Sequence, residues 1–272
     1  MSRDQATSGY AWLTARPIAH RGLHDAAHGV IENTPSAVSA AIAAGYAIEV
    51  DLQVTADGEA MVHHDAALGR LTDGAGRLGA MTAHALKQVP FKATSDRMLT
   101  VDELVDLVSG RVGLFLELKS HGDGDLRLPR RVTQVLASYP GPVAVMSFDP
   151  FLVHAIRDLA PHLPRGIVAE RYRARSAPSR DGRAQDRYDR AQRRDSTARK
   201  FTYLLHAVRG RPHFLAYNIK DLPAPATLLA RRVLALPLLT WTVRTEDDRQ
   251  RAARFADQII FEGFRPRANG NE

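Results

Sequence analysis

The stretch YAIEVDLQV, residues 46–54, alternates apolar and polar side chains with a period of two. That is the period of a β-strand, in which successive side chains point to opposite faces. Ile48, Val50 and Leu52 therefore share one face, and Glu49, Asp51 and Gln53 share the other. The apolar face suits packing against helices, which leaves the acidic face pointing into the interior of a sheet that curls on itself. The same pattern recurs in LFLELK, residues 114–119, where Leu116 and Leu118 lie on one face and Phe115, Glu117 and Lys119 on the other.

Working outward, ARPIAH (15–20) reads as a strand before a helix over residues 35–44. Further strands are expected in 112–119, 142–148, 165–170, 213–219, 237–243 and 257–262, with helical periodicity near 100–109, 127–138, 150–159, 187–209, 224–234 and 246–255. Strands alternating with helices predict a parallel sheet with crossover connections, and eight strands predict closure into an α/β barrel of the TIM (β/α)8 type. No fixed-period repeat or linker divides the 272 residues, so one barrel domain over 1–272 is expected. Two departures from an ideal barrel are expected. A Gly-rich insertion runs from Asp65 to Met98 after the second strand, with a short helix near residues 83–87. The tail RPRANGNE cannot form a closing helix, so the C-terminal closure is irregular and residues 4–13 are expected to cover the gap.

Glu49 and Asp51 lie about 7 Å apart by strand rise. Inward carboxylates need a counter-charge, since an unpaired buried carboxylate is costly enough to neutralise itself. A divalent cation held by Glu49, Asp51 and Glu117 would satisfy all three; so would a salt-bridge cluster with Lys119 and Arg21. The strands alone leave the two readings even. Oxygen-only ligation would favour Mg2+ or Ca2+ over zinc. His20 and His64 sit near strand ends, where barrel active sites lie, and paired imidazoles suit general acid and base work near neutral pH. His63 points away from His64 in an extended chain and reads as structural. Arg21 and Lys119 supply the positive charge that a phosphate requires.

The series AHRG (19–22), EN-TP-SA (32–37), EVDLQVTADG (49–58), HHD with LGRLTDGAG (63–76) and ELK (117–119) resembles the glycerophosphodiester phosphodiesterase family. The likeness is dense over residues 17–120 and thinner afterwards, where TWTV (240–243) is similar to the family's tryptophan-bearing strand. The resemblance implies a TIM-barrel hydrolase that uses Mg2+ or Ca2+ to cleave a glycerophosphodiester into glycerol 3-phosphate and an alcohol. By position it implies His20 and His64 as the acid/base pair, Glu49, Asp51 and Glu117 as metal ligands, and Arg21 and Lys119 as the phosphate grip. Glu32 and Asn33 match the family's EN pair and read as support for the site, or else Asn33 caps the helix that starts at Pro35. Trp241 lines the glycerol pocket or packs the core. Two positions depart from the family: Arg244 stands where an asparagine is usual, and Phe261-Glu262 where Thr-Asp is usual. Both bear on specificity more than on chemistry, and lysophospholipids are the alternative substrates.

The 37 basic and 30 acidic residues give a net charge of +7. Residues 171–211 hold 13 Lys/Arg against 4 Asp/Glu, so the rest of the chain carries 24 against 26 and is slightly acidic. A different class of function, binding to nucleic acid or an anionic membrane, would rest on this segment and its interleaved Tyr172 and Tyr188. The favoured reading is a solvated surface or a lid near the site. With no cysteine, disulfides, thiolate nucleophiles and Cys-ligated metals are excluded. The N-terminus lacks a signal-peptide run, and the most apolar stretch, Val233–Val243, is too short to span a bilayer, so a cytoplasmic protein is expected. A salt titration against a generic DNA duplex is expected to show negligible affinity even at low salt; tight binding that collapses as salt rises would establish the nucleic-acid reading instead.

Overall fold

The computed structural model describes residues 10–171 and 207–267. Its strands are β1 (Ile18–His20), β2 (Ala47–Val54), β3 (Ala60–Val62), β4 (Leu114–Leu118), β5 (Val143–Ser147), β6 (Arg165–Ala169), β7 (Phe214–Asn218), β8 (Leu238–Val243) and β9 (Gln258–Phe261). Between them run α1 (Pro35–Ala44), α2 (Ala83–Gln88), α3 (Val101–Val108), α4 (Arg127–Leu136), α5 (Pro150–Leu159), α6 (Pro225–Arg232) and α7 (Glu246–Phe255). The helix expected over 187–209 lies outside the described residues except for 207–209, which are helical; most of the Arg-rich segment, with Tyr172 and Tyr188, lies outside them too.

Eight parallel strands are hydrogen-bonded in the order β1-β9-β8-β7-β6-β5-β4-β2, and β1 pairs with β2 to close the ring. The expected barrel is thus present. The ninth strand, β3, folds back antiparallel on β2 with Leu52 opposite Val62. The Asp57-Gly58 turn that makes this hairpin possible has Gly58 at φ +82°, a conformation that glycine adopts without steric cost.

Helix starts follow local chemistry. The Thr34 hydroxyl accepts from the Ala37 N–H with Pro35 in the first turn of α1, Thr100 and Glu103 form a capping box on α3, and Asp149 accepts from the Phe151 N–H at the start of α5. The cap of α1 is Thr34, so Asn33 is free for another task.

Alternation divides the core in two. Ile48, Val50, Leu52, Leu116 and Leu118 pack outward against the helices, with Val101, Leu104, Val132 and Ile156 among their neighbours in that core. Inside the barrel sit Ile18, Phe115, Met146, Phe214, Leu239 and Ile260. Phe115 and Phe214 meet edge to face at 5.9 Å, and a Cβ on Gly166 would stand 2.2 Å from the Phe214 ring, so glycine there makes room for it.

The closure is divided between the two chain ends. Residues Ala11–Thr14 form a 3-10 turn that sends Leu13 into the barrel interior, with Trp12 against Phe115 at 5.3 Å. On the outside, the Tyr46 hydroxyl donates to the Pro266 carbonyl, and Phe264 packs on Phe261 at 5.4 Å. The insertion between β3 and α3 has a small core of its own, Leu68, Leu78, Leu86, Phe91 and Met98, shared with Ile31 and Met61.

One turn sets the mouth of the barrel. After β1 the chain reverses at Arg21 (φ 56°) and Gly22 (φ 79°), held by hydrogen bonds from the Gly22 N–H to the Glu49 carbonyl and from the Asn33 N–H to the Arg21 carbonyl. A Cβ on Gly22 would lie 2.8 Å from backbone and Cβ atoms of Ala37. Gly22→Ala is therefore expected to destabilise by the left-handed cost of about 1–2 kcal/mol plus a backbone clash. Gly58→Ala, at a similar φ with no atom within 4 Å of the added Cβ, should pay the first term alone. Urea unfolding of both variants checks this; equal losses would refute the close-packing argument.

Candidate active site

Three carboxylates converge at the C-terminal mouth of the barrel. Register pairs His20 with Glu49 and Asp51 with Glu117 across neighbouring strands, and all four point inward. Ligand oxygens of Glu49, Asp51 and Glu117 lie within 4.8 Å of one another. All three residues are buried.

Both positive groups expected here are present. Lys119 Nζ lies 2.7 Å from Asp51 Oδ1 and also contacts Glu117, while Arg21 Nε lies 3.1 Å from Asp51 Oδ2. The salt-bridge cluster anticipated as one reading of these strands therefore exists, in the same place as a set of oxygens able to hold a cation. The two are compatible. Burial opposes ionisation of Asp51, but Lys119 and Arg21 outweigh it and hold the carboxyl well below its ordinary range. Glu49 goes the other way: burial, with Asp51 and Glu117 beside it, pushes its pKa well above the usual value. Its Oε2 accepts from the Arg21 N–H at 3.0 Å, whereas Oε1 is buried with no hydrogen-bond partner among the described residues. An orphaned carboxylate oxygen facing two other carboxylates is a donor suited to a metal ion, as an oxygen-only set for a hard divalent cation requires.

Each histidine has a carboxylate behind it. His64 Nδ1 lies 2.8 Å from Asp65 Oδ1, and His20 Nδ1 lies 2.9 Å from Glu262 Oε2. Either carboxylate, as an acceptor, selects the tautomer with the proton on Nδ1 and leaves Nε2 as the working nitrogen. His20 Nε2 faces Glu49 Oε2 at 3.9 Å. Burial lowers the His20 pKa to about 4 against the raising effect of Glu262, so the ring is neutral near pH 7. Glu262 itself is lowered to about 2, chiefly by the His20 hydrogen bond. Burial opposes ionisation of Asp65, but His64 and Arg70 hold it well below its ordinary value. His63 is buried.

Glu32 and Asn33 are tied into the same network. Asn33 takes φ 59° and donates from Nδ2 to Asp51 Oδ2 at 2.9 Å, and its Oδ1 accepts from the Asp51 N–H at 3.3 Å. Its side chain orients Asp51, and the alternative of a helix cap is corrected, because Thr34 fills that position. Glu32 bridges two arginines, Arg21 at 2.7 Å and Arg70 at 2.6 Å, and Arg70 reaches Asp65 at 2.5 Å. Trp241 faces the barrel interior, edge to face with Phe148 at 5.4 Å, and its indole Nε1 has no partner among the described residues. At its end of the barrel, Arg244 lies 2.8 Å from Glu262. Thus the two positions at which the sequence departs from the family pattern form one ion pair.

Asp65 and Arg70 were not singled out from sequence, and Glu262 appeared there only as a departure from the family pattern. Asp65 had a signal, being adjacent to His64 in HHD. The contact of Glu262 with His20 had none, because it spans 242 positions and exists only once the barrel closes.

Comparison with known proteins agrees with this geometry. The sequence profile of the glycerophosphoryl diester phosphodiesterase family matches residues 20–261. A glycerophosphodiester phosphodiesterase of Caldanaerobacter subterraneus subsp. tengcongensis is 29% identical over 164 residues, covering 56% of this chain and 65% of that relative. Glycerophosphodiester phosphodiesterase 1 of Bos taurus is 27% identical over 161 residues, covering 56% of this chain but 48% of its own length. In both, the matched stretch is less than two thirds of the relative. Among solved structures, an Oleispira antarctica phosphodiesterase in complex with the product sn-glycerol-3-phosphate superposes with a TM-score of 0.68 at 21% identity, covering 91% of this chain and 92% of that one. A glycerophosphodiester phosphodiesterase from Agrobacterium tumefaciens gives a TM-score of 0.64 at 19% identity, over 91% and 96%. These likenesses establish the fold, and the profile match, spanning every barrel strand from the end of β1 to the end of β9, establishes the lineage: the chain belongs to the glycerophosphoryl diester phosphodiesterase family.

Proposed function

We propose that this chain, acting as one barrel domain over residues 1–272, is a divalent-metal-dependent phosphodiesterase that cleaves glycerophosphodiesters to glycerol 3-phosphate and an alcohol. The observation that carries the reading is the meeting of two imidazoles, each backed by a carboxylate, with three buried carboxylates and two cations at one barrel mouth. The product named for the Oleispira antarctica structure supports the same substrate class.

Glu49, Asp51 and Glu117 would hold the metal, and their oxygen-only set favours Mg2+ or Ca2+. When bound, such an ion supplies Lewis-acid polarisation of a phosphoryl oxygen and offsets charge in the transition state. Formal charge supports the assignment. With Glu49 protonated, Asp51 and Glu117 balance Arg21 and Lys119. With Glu49 ionised and a divalent cation added, the five side chains and the ion sum to +1, the complement of a phosphodiester anion. Carboxylates engaged by the metal release Lys119 and Arg21 to grip the phosphate oxygens.

His20, kept neutral by burial, accepts the proton of the attacking hydroxyl at Nε2, whether that hydroxyl belongs to water or to the glycerol 2-position. His64, oriented by the Asp65 carboxylate at its Nδ1, passes a proton from Nε2 to the leaving oxygen. Trp241, with Phe148, offers an apolar wall on which the glycerol carbons rest.

Two measurements test this. Glycerophosphocholine and glycerophosphoethanolamine should be hydrolysed in an assay coupled to glycerol 3-phosphate, with activity abolished by EDTA and restored by Mg2+ or Ca2+; turnover that survives complete metal removal would sink the proposal, and lysophospholipids are the next substrates to compare. His20→Ala and His64→Ala should each lower kcat by about 10²–10⁴-fold with thermal unfolding unchanged; full activity in either variant removes that histidine from the mechanism.

A further inference from the structure

A second cluster of metal-ligating groups lies beside the carboxylate centre; it shares His20 and its partner Glu262 with the mechanism above and adds His24, which that mechanism does not use. Ligand atoms of His20, His24 and Glu262 all lie within 4.8 Å of one another. The fold brings them together by two independent routes. The Arg21-Gly22 reversal turns the chain back so that His24 comes alongside His20, and the β1–β9 pairing, Ala19 opposite Phe261, places the next residues His20 and Glu262 side by side. His24 Nε2 is shielded from solvent and has no hydrogen-bond partner among the described residues. A buried imidazole nitrogen without a partner is an unpaid desolvation cost that a metal bond would relieve.

We propose that His20, His24 and Glu262 form a second metal site, selective for a nitrogen-seeking ion such as Zn2+, whose occupation withdraws His20 from proton transfer and so inhibits turnover. Two imidazoles and one carboxylate with room for a further ligand are a zinc-type donor set, unlike the all-oxygen set next to it. Tetrahedral zinc holds its donor atoms about 3.4 Å apart, so the 2.9 Å hydrogen bond between His20 Nδ1 and Glu262 Oε2 gives way to the metal and its proton moves to His20 Nε2. Arg244, paired with Glu262, opposes a cation there, but its side chain is 54% exposed and can turn to solvent. Two sites of different hardness would let the same mouth hold Mg2+ or Ca2+ for catalysis and respond to zinc as an inhibitor. The inhibitory consequence rests on the proposed role of His20; the binding itself does not.

The test is a competition titration of the full-length protein, in excess Mg2+, with Zn2+ against a chromophoric chelator. One zinc per chain is expected, with affinity lowered about tenfold or more in both His24→Ala and His24→Gln and thermal unfolding without zinc unchanged. Co2+ in place of zinc should give the intense visible bands of a four-coordinate ion in the wild type, lost in both variants. Zinc should slow diester hydrolysis by the wild type, while His24→Ala keeps its basal rate and escapes inhibition. Wild-type zinc affinity in both His24 variants would overturn the site, as would zinc displaced only by Asp51→Asn. If no diester is hydrolysed at all, the chelator titration still decides the zinc site and the failure falls on the phosphodiesterase reading.

Discussion

Three carboxylates on the inner face of a closed barrel cannot all be charged without cations among them, and the rest of the site is arranged around that constraint. Lys119 reaches Asp51 and Glu117 from the same face of β4, and Arg21 reaches Asp51 from the turn after β1. One of these cations, Arg21, is then fixed from behind. Arg21 is held by Glu32, which also binds Arg70, which in turn binds Asp65, the partner of His64. His64 and the carboxylate centre thus belong to one continuous chain of charged hydrogen bonds, while His20 is held by Glu262, itself paired with Arg244. In such a network each group polarises its neighbours, and removing one leaves another buried and unpaired. That is why the left-handed Arg21 and Asn33 are tolerated: backbone strain at two positions is outweighed by the ion pairs and hydrogen bonds that those conformations aim.

Much of this was legible in the chain because a strand's period of two is a strict geometric rule. Once IEVDLQV and LFLELK are read as strands, Glu49, Asp51, Glu117 and Lys119 have to share an interior, and the barrel follows from the eight-fold alternation of strand and helix. Local contacts were legible for the same reason, as with the helix starts at Pro35 and Pro150. What escaped was of two kinds. The hairpin strand β3 is three residues long, too short for its period to register. The Glu262–His20 bond joins the first barrel strand to the last, and no sequence spacing encodes which strand closes against which. Arg244 and Glu262 appeared as two unrelated departures until their 2.8 Å contact made them one.

The charge of the chain acquires a different meaning in this light. An excess of +7 suggests a polyanionic partner, yet the described active site has its own balance, in which the histidines' carboxylates are answered by Arg70 and Arg244 and the central carboxylates by Arg21 and Lys119.

Ring closure through β1 has a consequence for biosynthesis. A nascent chain emerging from its N-terminus can gather β1, β2 and β4, with Glu49, Asp51 and Glu117 in register, long before β9 exists. Such an intermediate has an acidic cleft open along one edge, while the His20 ring lacks the carboxylate that orients it. Bringing residue 262 back to residue 20 is also the contact of longest sequence separation in the site, and the loop entropy of making it is paid last. The pairing of His20 with Glu262 is in this way withheld until the final strand docks, so the acidic cluster of the first strands is assembled before the imidazole beside it is oriented.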